Sequence, residues 1–176
     1  MAAFNFNFHC KENDKLKRFF PFGLIFAGVL GVATAAVQAQ DITKNHKKSG
    51  LREALLRKFL RQNHCPDQAY ADVFVAEADA HGIDWRLLPS ISVVESGGGR
   101  TARGNNLFGW ANGETTFNSI GEAIHYVASA LSRGKSYRGK DIEGKLAAYN
   151  HNPDYKTMVM DLMRQISPTP EVASGD

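Results

Sequence analysis

Apolar residues recur at helical steps from Leu51 onward. Leu51, Leu55, Leu56, Phe59 and Leu60 return every three or four positions, predicting an amphipathic first helix. A second opens at Pro66-Asp67, where proline suits the first turn because its missing N–H has no helical partner there. It sets Tyr70, Val73, Phe74 and Ala78 on one side and stops at His81-Gly82. Asp84 is placed to cap a third, whose stripe of Leu87, Leu88, Ile91 and Val94 must face a core. Pro89 falls inside that stretch, so the helix should bend there or begin later than its stripe. Gly97-Gly98-Gly99 closes it. Beyond lies a loop from Arg100 to Trp110, a helix around Glu122-Ala123-Ile124-His125-Tyr126, and a break at Ala147 to Tyr155 between two further helical patterns.

The N-terminus reads differently. Lys11, Lys15, Lys17 and Arg18 precede an apolar run from Phe19 to Val37, and Val37-Gln38-Ala39 supplies small residues before a cut, the pattern of a secretory signal over residues 1–39. Left uncleaved, the segment would be a membrane anchor. It carries four of the 21 basic and two of the 18 acidic residues, which leaves the mature chain nearly neutral at 17 against 16. The basic balance therefore gives no reason to expect nucleic acid as a partner. Residues 40–50, polar with Lys44, His46, Lys47 and Lys48, read as a flexible linker, 51–167 as one folded domain, and 168–176 as a disordered tail. Cys10 is lost with the signal, leaving Cys65 as a structural thiol.

Within the domain, Glu95 stands out. It lies one helical step from Ile91 and Ser92, on or beside the buried stripe, at the C-terminal end of its helix. Desolvation and the partial negative charge of a helix C-terminus both penalise an ionised carboxylate there, so Glu95 should hold its proton tightly, as a general acid must. In the loop after the glycines, the amides of Asn105 and Asn106 suit hydroxyl and acetamido groups, and Phe108 or Trp110 offers a flat face to a sugar ring. The same residues also suit a plain structural role, with Leu107 and Phe108 as core plugs and the asparagines holding a turn.

Glu95-Ser96-Gly97 followed by Asn105-Asn106-Leu107-Phe108-Gly109 resembles the peptidoglycan N-acetylglucosaminidase family of flagellum-associated wall hydrolases and autolysins, within the lysozyme-like superfamily. Thr116-Phe117-Asn118-Ser119 and the helix after it extend the likeness, which covers roughly residues 83–166. The resemblance implies that Glu95 is the catalytic acid, that Ser96 and the Asn-Leu-Phe-Gly segment frame a sugar groove, and that Tyr149 of Tyr149-Asn150-His151-Asn152-Pro153-Asp154-Tyr155 lines the site. Ala148-Tyr149-Asn150 also resembles the Ala-Tyr-Asn signature of lytic transglycosylases, where tyrosine supports the acid and asparagine, here Asn150, the substrate.

A second carboxylate would stabilise the positive charge developing at the anomeric carbon, and Glu114, in a polar insertion after the glycines, is the candidate. Without it, the acetamido oxygen of the substrate or a muramyl 6-hydroxyl would attack, giving a hydrolysed or an anhydro product respectively. His46, His64, His81, His125 and His151 lack ligand spacing, so neither a metal nor any other cofactor is expected. The expectation is thus a mainly α, lysozyme-like domain with a small loop or β-hairpin insertion beside the catalytic helix. It would be exported to the periplasm or cell envelope, act on peptidoglycan glycan strands and serve wall or envelope assembly machinery. The rivals are a lytic transglycosylase and a non-catalytic wall-binding module.

Overall fold

In a computed structural model the backbone is described over residues 31–168 and the side chains over residues 43–168. The chain divides into two units, Met1–Val37 and Gln38–Asp176, and the second contains the folded domain. The expected signal and tail lie outside the described residues except at 31–39 and 168. Among the described residues no helix is long and apolar enough to cross a membrane.

The architecture is mainly α. Helix α1 (Gly31–Gln62) leads through a 3₁₀ turn at Pro66–Tyr70 to α2 (Ala71–His81), α3 (Leu87–Ser96), α4 (Ile120–Arg133), α5 (Ile142–Tyr149) and α6 (Pro153–Ile166). One expectation needs correction. Residues 40–50, read as a linker from their polarity, belong to α1, with Thr43 to Lys47 exposed on its backbone. Of the loop or hairpin expected between α3 and α4, the loop is what forms: among the described residues it holds one isolated bridge, Arg103 with Asn106, and no strand. Asn105, Ala111 and Asn112, with Gly104, Gly109 and Gly113, all sit at positive φ, and such repeated turns interrupt extended pairing.

The buried face of α1 is Leu56, Phe59 and Leu60, while Leu51 at 63% exposure lies outside the stripe that its spacing predicts. Arg52 takes the buried place instead and is paired in a fork with Asp79 of α2 at 2.7 Å. Gly82 caps α2 in the left-handed conformation. Asp84 is not the cap of α3 but starts the turn before it, accepting from the Arg86 backbone at 2.9 Å. The helix begins at Leu87, which puts Pro89 in the first turn, where it replaces an N–H that α3 could not have used.

Helix α3 is the axis of the domain, packing on α2, α4 and α6. Leu87, Leu88 and Ile91 are fully buried, each stabilising by roughly 1.5–3 kcal/mol. Its start is tied to the end of α6 by Arg86, whose buried guanidinium pairs with Asp84 and donates to the Ser167 carbonyl at 2.6 Å. Helix α4 lays Ala123, Ile124, Val127, Ala128 and Leu131 on the core and is capped by Ser119, which accepts from Glu122 N–H at 3.1 Å. Asp141 and Asn152 cap α5 and α6 in the same way.

Candidate active site

Three elements meet at Glu95. The last turn of α3 carries it, next to Gly97, which ends the helix in the left-handed conformation. The glycine turn is fastened from both sides: Gly98 O accepts from Asp67 N–H at 3.0 Å, and Ser96 Oγ bonds Leu107 O at 2.8 Å while accepting from Gly99 N–H at 2.9 Å. Ser96 is therefore buried and committed to joining helix end and loop.

The loop supplies Gly109. At φ +59 it brings backbone so close that a Cβ there would stand 2.8 Å from Glu95 Oε2. Sequence reasoning passes over this site residue, although it closes the Asn-Asn-Leu-Phe-Gly motif. Asn106 holds the loop in that shape: its Oδ1 accepts from Trp110 N–H, and its Nδ2 donates to Trp110 O and Thr115 O, all at 3.0 Å. Asn105 donates to Phe117 O at 2.9 Å. Phe108 is fully buried with its ring edge against Phe74, so it offers no face to a ligand. Asn106 and Phe108 are buried and shape the site, whereas Asn105 is exposed at its edge of the loop.

The junction of α5 and α6 supplies two phenols. Tyr149 donates to Phe108 O at 2.5 Å, fixing loop to helix, and stacks on Tyr155 with rings 5.9 Å apart and 9° from parallel. Its proton is therefore engaged by the backbone and not by Glu95. Trp110 meets Tyr149 and Tyr126 edge-on at 5.9 and 5.7 Å and inclines toward Tyr137 at 6.3 Å. Gly109, Trp110, Ala111, Asn112, Tyr137 and Tyr149 line a cleft of about 330 Å³, at the small end of the roughly 300–1,000 Å³ typical of ligand sites. Asn150, next to Tyr149, spends its Oδ1 on the Asn152 N–H at 3.0 Å.

Electrostatically the site favours a neutral acid. Burial pushes the Glu95 carboxyl above its ordinary value, and the Tyr155 phenol partly opposes this by donating toward the charge. That contact is loose, because Tyr155 Oη is buried without an aligned hydrogen bond. Burial first, and then the Glu95 charge, push Tyr149 and Tyr155 upward as well, keeping both as phenols. Glu95 has no ion-pair partner among the described residues. Glu114 is exposed on the turn it forms with Ala111 and makes no side-chain hydrogen bond or ion pair among the described residues. Beside burial, the side chain that acts on the Glu95 carboxyl is the Tyr155 phenol, not a second carboxylate.

His46, His64 and His151 are exposed and scattered. His81 and His125 are not scattered: packing of α2 on α4 gathers them with Glu77. That grouping links positions far apart in sequence, and its only local trace is the four-residue spacing of Glu77 and His81. Comparison with family models, with curated proteins and with solved structures finds no match.

Proposed function

We propose that the chain is an exported peptidoglycan hydrolase that cuts the glycan strand as an endo-β-N-acetylglucosaminidase, with Glu95 as general acid. One observation carries this reading. A half-buried carboxyl with a raised pKa and no cation beside it adjoins Gly109 and Tyr149, two walls of a cleft rimmed by Trp110 and Tyr137. Burying an unpaired acid is unfavourable for folding, and its use is to protonate a leaving oxygen at neutral pH. The aromatic rim suits the apolar face of a pyranose.

The order of events rests on the groups at hand. Glu95 protonates the glycosidic oxygen, and positive charge develops at the anomeric carbon. With Glu114 exposed and unconnected, the acetamido oxygen of the substrate attacks that carbon, and water then opens the cyclic intermediate. Tyr149 holds the Phe108 carbonyl and so keeps Gly109 against the acid. An exposed Glu114 serves a lytic transglycosylase equally, through attack by a muramyl 6-hydroxyl. Asn150, which that chemistry would use for substrate, has its carbonyl engaged within its own turn.

Digestion of purified peptidoglycan by wild type and Glu95→Gln tests the proposal. Wild type should create new reducing N-acetylglucosamine ends, and the variant should be slower by about 10²–10⁴-fold. Anhydromuramic ends would assign a transglycosylase. Equal activity in the two proteins would remove Glu95 as the acid, and none in either would leave a wall-binding module.

A further inference from the structure

Glu77, His81 and His125 converge on one point between two helices. Glu77 and His81 are one helical step apart on α2, and His125 comes from α4, which packs along it. His125 Nδ1 lies 2.9 Å and His81 Nε2 3.4 Å from the same oxygen, Glu77 Oε2, and the three ligand atoms all fall within 4.8 Å of one another. The two imidazole ring centres lie 5.3 Å apart, with their planes tilted by 57°.

His81 is the telling member. Its side chain is only 5% exposed, and neither ring nitrogen has a hydrogen-bond partner. A buried imidazole left in that state costs about 1–3 kcal/mol per unsatisfied polar atom. The ion-pair distance to Glu77 is too poorly aligned to offset this. A group that accepts the Nε2 lone pair would.

We propose that Glu77, His81 and His125 form a three-ligand site for a borderline divalent metal ion of the zinc class, which staples α2 to α4. Two imidazole nitrogens and one carboxylate oxygen suit zinc, cobalt or nickel, whereas magnesium and calcium call for oxygen-rich sites. The spacing fits as well. Ligand bonds of about 2.0–2.1 Å in a tetrahedron separate the ligand atoms by about 3.3–3.4 Å. The His81–Glu77 edge already measures 3.4 Å, and the His125–Glu77 edge opens from 2.9 Å when the ion replaces the shared proton. His125 is 62% exposed, which leaves an entry path and room for water as fourth ligand. The next residue on α4, Tyr126, packs on Trp110 and Phe117, so the staple would also steady one wall of the aromatic cluster.

The full chain without an affinity tag, stripped by chelator, is titrated with Co²⁺ and with Zn²⁺. Expected are one ion per chain, the absorption bands of cobalt with fewer than six ligands, and a higher Tm with Zn²⁺ but not with Mg²⁺ or Ca²⁺. His125→Ala and Glu77→Gln, both at accessible positions, should weaken binding roughly tenfold or more, since even groups that only support a ligand cost 10–100-fold. Glu95→Gln should bind as wild type does, separating this site from the glycosidase reading. Absence of Co²⁺ binding by the wild type, or equal binding by His125→Ala, would overturn the proposal.

Discussion

Replacing Asp67 by asparagine should stabilise the protein, and only above a definable pH. Asp67 has no exposed surface, its Oδ2 accepts from Ser92 Oγ at 2.6 Å, and its Oδ1 is buried with no partner. Burial raises its pKa from 3.8 to about 6, with the Ser92 hydrogen bond pulling the other way. Between those values the folded chain keeps a proton that the unfolded chain has released, so stability falls as pH rises. The contribution is intact below about pH 3.8 and is lost by about pH 6. A shift of about two units at about 1.4 kcal/mol each makes the loss roughly 3 kcal/mol at neutral pH.

Asparagine keeps an acceptor for Ser92 and removes the charge. Its amide would bury N–H groups where Oδ1 now lies, which costs about 1–3 kcal/mol if both stay unpaired, so the expected net gain at pH 7.5 is at most about 2 kcal/mol. Urea unfolding of both proteins at intervals from pH 4 to pH 8 measures the difference, in which all other titrating groups cancel. The gap should shift in favour of the variant across pH 4 to 6 and be flat above. A difference independent of pH in that window would show that Asp67 is not a desolvated acid.

Gly109→Ala should nearly abolish wall digestion, since its Cβ would strike Glu95 Oε2 at 2.8 Å; left-handed strain adds about 1–2 kcal/mol of destabilisation, read as a lower Tm. The pH profile of wall digestion should fall as Glu95 ionises, with a basic limb above the ordinary carboxylate range. Tyr155→Phe, which removes the phenol that favours the ionised acid, should move that limb to still higher pH. Glu114→Gln should leave turnover within a few fold of wild type, and a loss of about a hundredfold or more would reinstate a second carboxylate.

Legibility in the sequence tracks how local each cause is. The stripes of α2 and α3, Gly82 and Gly97 as helix ends, and Pro89 near a helix start rest on spacing within a few residues, and the fold follows them. Leu51 and residues 40–50 depart from expectation for the same reason. Their burial or helicity depends on what α1 meets, and Arg52 displaces the stripe only because Asp79 waits 27 residues later. At the site, the sequence points to Glu95, Tyr149 and Trp110, but not to the division of labour among their neighbours. A polar or aromatic residue in a loop beside an acid can face a ligand or hold the loop, and side-chain type does not distinguish the two. Asn106 and Ser96 turn inward because their side chains bond loop backbone groups that the turns leave open, and Phe108 does so because its ring fills the core against Phe74. The loop brought against Glu95 is therefore bare backbone, and Gly109 is what admits it. A residue without a side chain is the least visible choice in a search for chemistry, yet here it sets the distance between the acid and the cleft.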